Sequence, residues 1–101
     1  MFLVLWEYEV KPGCEERFET MYGPAGDWAL LFRTDSHYRE TRLLRDPFRP
    51  NVYLTLDFWT SRESYAWFMA AHTAAYKTID AAGENLTVNE RRIGAYEMVD
   101  P

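Results

Sequence analysis

Cysteine and long apolar runs are scarce in this sequence. Cys14 is the only cysteine among 101 residues, so the chain by itself cannot form a disulfide or a metal site built from several thiolates. The apolar start, MFLVLW, is interrupted by Glu7 and Glu9 before it reaches the length of a signal peptide or a membrane span. These absences predict a cytoplasmic protein that has no membrane partner.

Positive charge is also in the minority. Eleven Lys and Arg residues oppose sixteen Asp and Glu residues, which gives a formal net charge of −5, and no long basic run is present. Proteins that follow a phosphate backbone carry clustered basic side chains. We therefore expect no nucleic-acid partner.

Aromatic side chains, by contrast, are abundant. They make up 17% of a chain that is 48% hydrophobic. The length and composition fit one globular domain over residues 1–101. Because a domain of this size buries a limited share of its surface, we expect some of the rings to meet a ligand or a partner subunit.

Alternation with a period of two predicts the strands. It is clear in FLVLWEYEV at residues 2–10 and in VYLTLDFW at residues 52–59, where apolar positions recur at every second residue. Residues 37–46 and 86–99 complete the prediction of four strands, the last with an irregularity at Gly94.

Helical spacing of apolar residues predicts the segments between the strands. A stripe from Cys14 to Tyr22 is ended by the segment YGPAG, and Asp27 is expected to cap a second short helix. Thr60 followed by Glu63 fits a capping box at the start of a main helix. The apolar stripe of that helix comprises Tyr65, Phe68, Met69, His72, Tyr76 and Ile79.

The predicted order is strand, two helices, two strands, helix, strand. It indicates an α+β, ferredoxin-like domain with a four-stranded antiparallel sheet and its helices on one face. The other face would mix apolar and charged groups. It would be too apolar to stay exposed to water and too charged to form a dry core, so two copies are expected to join through it as a homodimer. The residues expected on this uncovered face are Leu3, Leu5, Glu7, Glu9, Tyr53, Asp57 and Trp59.

Three segments carry a resemblance to a known family. They are VKPG at the end of the first strand, YGPAGDWALLF, and YLTLDFWTSRESYAWF, in which a strand ending in Trp leads into a helix with aromatic positions. Together they resemble the antibiotic biosynthesis monooxygenase domains of the dimeric α/β barrel superfamily. The resemblance implies a pocket between sheet and helices, and a dimer made by the sheets.

The resemblance also implies a chemistry. Monooxygenases of this kind need neither metal nor flavin, because a deprotonated phenol or quinol can itself reduce oxygen. The implied ligand is a small aromatic molecule, with His72 and Tyr65 as candidate catalytic groups. The implied substrate-binding walls are Trp6, Tyr8, Trp28, Phe32, Phe68 and Met69.

Structural roles for the same residues, and a non-catalytic function, remain open as alternatives to the enzyme interpretation. Helical spacing of Trp28, Phe32, Phe68 and Met69 favours core packing, and the favoured interpretation of His72 is a structural or rim histidine with a satisfied hydrogen bond. A non-catalytic dimeric module that binds a small molecule or acts in an assembly is the alternative function. An enzyme should have a roomy pocket, whereas in the module the aromatic rings should fill that space.

Metal and haem sites are not indicated. The haem-degrading branch of the superfamily uses an asparagine in the first strand and a histidine late in the main helix, and this sequence has Trp6 and Glu7, and then Tyr76, near those places. Five arginines between Arg33 and Arg49 could clamp an anion, but alternation places them on both faces of a strand. Ion pairing with acidic residues is therefore the favoured interpretation of that cluster.

Overall fold

The computed structural model describes residues 1–100, and its elements follow the predicted order except that two helices stand in place of the predicted main helix. The strands are β1 (Phe2–Val10), β2 (Tyr38–Arg45), β3 (Val52–Trp59) and β4 (Thr87–Glu97). The helices are α1 (Glu15–Tyr22), α2 (Asp27–Phe32), α3 (Arg62–Ala71) and α4 (Thr73–Gly83), followed by a 3-10 turn at Glu84–Leu86.

The four strands form one sheet in the order β2-β3-β1-β4, and every neighbouring pair is antiparallel. This confirms the predicted α+β, ferredoxin-like fold. The pairing of β1 with β4 shifts register between Leu5 and Trp6, next to Gly94, so the predicted irregularity is also confirmed. Gly94 has a φ of 158°, and a Cβ added there would lie 2.8 Å from the Tyr96 hydroxyl.

The predicted assignment of the two faces of β3 is wrong. Trp59 and Tyr53 are 0% and 2% exposed, and Asp57 lies on the same face, which the helices cover. The register explains this, because Trp59 pairs with Phe2 and Tyr53 pairs with Tyr8, both buried residues of β1. The uncovered face instead carries the opposite set of β1 and β3 residues, Leu3, Leu5, Glu7, Glu9, Leu54, Leu56 and Phe58.

Two helix starts differ from the predictions by one residue. The capping box of α3 is formed by Ser61 and Ser64, where the Ser61 hydroxyl accepts from the Ser64 backbone N–H at 3.1 Å. Thr60 instead lies 3.1 Å from the Ser64 hydroxyl. Gly26 occupies the N-cap position of α2, so Asp27 is its first helical residue. Asp27 in the first turn can be mistaken for a cap because Asp is favoured at both positions.

The predicted main helix is divided into two. His72 separates α3 from α4 with φ −120° and ψ 30°, outside the helical region. Its backbone N–H still bonds the Phe68 carbonyl at 3.0 Å, and its carbonyl accepts from the Tyr76 N–H at 2.9 Å. The helical backbone angles are therefore interrupted at His72, while the backbone hydrogen bonds continue on both sides.

The core lies between the sheet and the helices and is built largely from aromatic rings. Phe18, Trp59 and Phe68 are among its most completely buried side chains. Ring contacts run through it, such as Phe32 to Phe68 at 5.6 Å and Phe32 to Trp59 at 5.4 Å between centroids. Most aromatic residues are thus used in packing. Within residues 1–100, no helix is long and apolar enough to cross a membrane.

Candidate functional site

A narrow cavity lies between the sheet and the helices. Its volume is about 40 Å³, which is room for a few water molecules. Aromatic and acidic side chains dominate its wall, and no Lys, Arg or His among residues 1–100 lines it. The lining residues are Val4, Trp6, Tyr8, Tyr22, Trp28, Phe32, Thr41, Thr55, Asp57, Tyr65, Met69, Tyr76, Asp80 and Glu90.

Asp57 places a carboxyl group in the wall of this cavity. It sits in the middle of β3, where the register sets it opposite Val4 of β1 and Thr41 of β2. The residue keeps some accessible surface, but its carboxyl lies so deep among protein atoms that burial raises its pKa to about 6. A hydrogen bond from the Thr41 hydroxyl to Asp57 Oδ1, at 2.6 Å, favours the charged form and opposes part of this effect.

Tyrosine hydroxyls surround the cavity and stay protonated at neutral pH. Burial raises the pKa of Tyr22 and of Tyr76 to about 12, and it raises the pKa of Tyr8 well above its usual value. Burial also raises the pKa of Tyr65, against a smaller opposing effect of the Arg92 charge. These hydroxyls can donate hydrogen bonds to a ligand but cannot act as bases near pH 7.

Asp80 of α4 and Glu90 of β4 line the cavity as well. Glu90 is an exposed residue, so the cavity reaches the surface there. Burial raises the pKa of the Glu90 carboxyl, and the charges of Asp80 and Glu84 raise it further. Among the described residues neither Asp80 nor Glu90 forms an ion pair. Negative charge is therefore concentrated at this opening.

The structure brings together six of the eight residues predicted for the site. Five of the predicted wall residues and the candidate catalytic Tyr65 line the cavity, whereas Phe68 and His72 do not. Phe68 is 1% exposed and belongs to the core. The six that line the cavity are Trp6, Tyr8, Trp28, Phe32, Tyr65 and Met69.

His72 is held against the core by its own helix. Its Nδ1 lies 3.1 Å from the Phe68 carbonyl oxygen, and because a carbonyl can only accept, Nδ1 carries the proton in this contact. A structural or rim histidine with a satisfied hydrogen bond was the favoured interpretation of this residue on its own, and the geometry fits it. Proton transfer in the cavity must therefore come from another group.

Sequence reasoning missed the acidic members of the site. Asp57 had been placed on the uncovered face, Glu90 had been considered only as an ion-pair partner for the clustered arginines, and Asp80 had not been considered. A signal for Asp57 was present, because it is a lone carboxylate between Leu56 and Phe58 in an otherwise apolar segment. A buried charge in such a strand requires a partner or a cavity.

Three of the five clustered arginines form ion pairs, as the favoured interpretation predicted, whereas Arg33 and Arg39 donate to the backbone carbonyls of Pro24 and Ser36. Arg49 bonds Glu7 at 3.1 Å and Asp46 at 2.8 Å, and Arg45 bonds Glu19 at 2.8 Å. These pairs lie outside the cavity. Within the described part of the chain, no three His, Cys, Asp or Glu side chains are grouped so that they could hold a metal ion.

The family model for antibiotic biosynthesis monooxygenases matches residues 1–79, which is most of the chain. The chain belongs to the antibiotic biosynthesis monooxygenase family. The predicted resemblance is thus confirmed. A search of curated protein sequences finds no match to this member of the family.

Solved structures agree on the fold of this family member. SnoaB from Streptomyces nogalater, described as a cofactor-independent oxygenase, aligns with a TM-score of 0.71 and 18% identity, over 99% of this chain and 94% of SnoaB. A candidate antibiotic biosynthesis monooxygenase from Nitrosomonas europaea aligns with a TM-score of 0.70 and 13% identity, over 99% and 100% of the two chains. At such identities the likeness concerns the fold alone.

Proposed function

We propose that this protein is a cofactor-independent monooxygenase that binds a small, uncharged aromatic substrate of the phenol or quinol type in the cavity. Asp57 takes the acidic proton of the substrate, and the electron-rich anion that results reacts with oxygen. The single observation that carries the proposal is the Asp57 carboxyl, buried in an aromatic wall with a pKa of about 6. A base with a pKa near the working pH is the most effective proton acceptor.

The redox balance of the reaction needs no further reductant. In an anthrone-like substrate, oxygen converts a ring CH₂ group into a carbonyl. One oxygen atom becomes the carbonyl oxygen, and the other leaves as water with the two hydrogens of the CH₂ group. The substrate supplies all four electrons, and the proton held by Asp57 returns when water is formed. The tyrosine hydroxyls of the wall can stabilise the developing oxyanion by donating hydrogen bonds.

The family match supports an oxygenase, and SnoaB, whose description names cofactor-independent oxygen chemistry, shares the fold. The residues that line the cavity support a flat aromatic ligand, because Trp6, Trp28 and Tyr65 offer ring faces and edges for stacking. The negative charges of Asp80 and Glu90 favour a ligand that is not an anion.

The size of the cavity favours the second candidate, a non-catalytic dimeric module that binds a small molecule or acts in an assembly. A volume of about 40 Å³ is too small for a ring system, so an aromatic substrate can enter only if side chains move. Trp6, Tyr65 and Met69 are each partly exposed and can rotate with less loss of packing than the core rings. In the oxygenase proposal these three side chains open on binding.

The homodimer is part of the proposal. The uncovered sheet face pairs Leu5 with Leu56 and Leu3 with Phe58, and all four side chains are partly exposed. Glu7 in the same face bonds Arg49 at 3.1 Å and Arg91 at 3.5 Å, so its charge is already balanced within one chain. A second copy covering this face would remove a contiguous apolar patch from water.

Oxygen consumption with a panel of quinols, naphthols and anthrone-like compounds tests the function. We expect wild-type protein to turn over at least one of them, and Asp57→Asn to lower kcat about 10² to 10⁴-fold. Asp80→Asn, the same change elsewhere in the wall, is the matched control and should retain most of the rate. If wild-type protein binds members of the panel without consuming oxygen, the non-catalytic module is supported instead.

A further inference from the structure

A chain of two short hydrogen bonds ends on Asp57. The Tyr38 hydroxyl lies 2.7 Å from the Thr41 hydroxyl, and the Thr41 hydroxyl donates to Asp57 Oδ1 at 2.6 Å. Tyr38 and Thr41 belong to β2, next to the strand that carries Asp57. Tyr38 is 7% exposed and Thr41 is 4% exposed, so water does not compete freely for these groups.

The donor in each of these two hydrogen bonds follows from counting the hydroxyl protons. The Thr41 hydroxyl has one proton, which it donates to the carboxylate. The Tyr38 hydroxyl must therefore be the donor in its contact with Thr41. Each hydroxyl is thus fixed in one orientation, and the Thr41 proton is held toward Asp57.

The two oxygens of Asp57 differ as a result. Oδ1 accepts the Thr41 hydrogen bond, whereas within residues 1–100 no protein group donates to Oδ2. Asp57 and Thr41 both line the cavity. Oδ2 therefore keeps its lone pairs for a proton or for a donor group of a ligand.

Titratable groups on the elements around Asp57 respond to its charge. Its charge influences Tyr8 of β1, Tyr38 of β2, Tyr65 of α3 and Tyr76 of α4. The guanidinium of Arg92 lies close enough to influence Tyr65. Burial keeps all four phenols protonated near pH 7, so Asp57 is the group among them that titrates there.

We propose that Thr41 is a positioning residue for the reaction: oriented by Tyr38, it occupies Asp57 Oδ1 and reserves Oδ2 as the atom that accepts the substrate proton. This inference rests on the proposed function for its role in the reaction. In the transfer, the O–H or C–H bond of the substrate breaks, its electron pair stays on the substrate, and the proton forms a bond to Oδ2. The Thr41 hydrogen bond stabilises the carboxylate before the transfer and fixes its plane throughout.

The first part of the test needs no substrate. The side-chain carboxyl carbon of Asp57 is followed by ¹³C NMR through a pH titration in wild-type protein, Thr41→Val and Thr41→Ser. Because the hydrogen bond favours the charged form, the titration of Asp57 should move to higher pH in Thr41→Val and return toward the wild-type position in Thr41→Ser. Tyr38→Phe should move it in the same direction by less, because Thr41 keeps its proton but loses its fixed orientation.

The second part uses the pH profile of oxygen consumption. In Thr41→Val the acid limb of the kcat profile should move to higher pH together with the NMR titration. At pH values above this limb, kcat should fall roughly tenfold with KM little changed. Thr41→Ser should recover most of this loss. A uniform loss of folded protein would lower the rate without moving the limb, so the profile separates positioning from stability.

The outcomes separate this inference from the proposed function. An unchanged Asp57 titration in folded Thr41→Val would overturn the inference, whatever the protein turns over. If the Asp57 titration shifts in Thr41→Val but wild-type protein consumes no oxygen, the hydrogen bond between Thr41 and Asp57 is supported and the oxygenase function is contradicted. A shifted titration with an unshifted acid limb would overturn the assignment of Oδ2 as the proton acceptor.

Discussion

The imidazole of His72 stacks on the ring of Phe68, with centroids 4.2 Å apart and an angle of 16° between the planes. Aromatic pairs of this kind contribute about 0.5–1.5 kcal/mol beyond the area they bury. We therefore expect His72→Ala to lower the free energy of unfolding by about 1 kcal/mol in urea titrations, while oxygen consumption by the folded protein stays within about twofold of wild type. A large loss of kcat in a fully folded His72→Ala variant would instead support a catalytic role for His72.

The raised pKa of Asp57 has a consequence for stability. It lies at about 6 in the folded protein, against an ordinary value of 3.8, so the folded state holds a proton that the unfolded state has lost between these two pH values. This stabilisation is complete below pH 3.8 and is lost as pH rises through about 6. A shift of this size corresponds to about 3 kcal/mol.

The measurement compares wild-type protein with Asp57→Asn in urea titrations from pH 4 to pH 8. The wild-type free energy of unfolding should fall relative to that of Asp57→Asn as pH rises across this range. Using the difference between the two proteins cancels the carboxylates whose pKa is lowered, such as Glu7 and Glu19, which act in the opposite sense. Parallel curves would show that Asp57 is not buried as described.

The uncovered sheet face predicts concentration-dependent stability. If two copies bury it, the Tm should rise with protein concentration, because binding of a second copy stabilises the folded state. Leu56→Glu places a charge in the centre of this face and should convert the dimer to monomer in light scattering. Leu30→Glu, at a leucine of α2 that is 57% exposed, is the control and should leave the mass unchanged. A wild-type monomer at micromolar concentration would contradict this assembly.

The negative charge of the cavity predicts selectivity among ligands. A carboxylate on the ligand would approach Asp80 or Glu90, so 4-hydroxybenzoate should bind roughly tenfold more weakly than neutral 4-hydroxybenzyl alcohol. Glu90→Gln should narrow this difference, and Glu63→Gln, outside the cavity, should not. Tryptophan fluorescence can follow binding because Trp6 and Trp28 line the cavity. Tighter binding of the anion would contradict the electrostatic argument.

Two neighbouring residues of α3, one buried and one exposed, should differ in how much their truncation lowers stability. Phe68 is 1% exposed and Trp67 is 77% exposed. Phe68→Ala should cost about 3–5 kcal/mol of stability because it opens a cavity among core rings. Trp67→Ala should change stability by less than about 0.5 kcal/mol. Urea titrations of both variants check this, and similar costs would mean that α3 is rotated about its axis.

The sequence by itself determined the four strands, the first two helices and the order of the elements, although it did not divide the last helical segment into two. Period-two alternation located β1 and β3, and helical spacing with YGPAG located the first two helices. It also identified the family, because the matching segments lie along most of the chain. These signals are local, because each one depends on a few neighbouring residues whose spacing directly reflects the geometry of a strand or a helix.

Only the tertiary structure decided which groups form the site. Alternation separates the two faces of β3 but does not say which one the helices cover, since Leu54 and Leu56 are as apolar as Tyr53 and Trp59. The register with β1 decides this, and it turns Asp57 from an expected interface residue into the carboxyl of the cavity. Likewise, the interruption at His72 falls inside an apolar stripe with unbroken helical spacing, so the spacing alone does not record it.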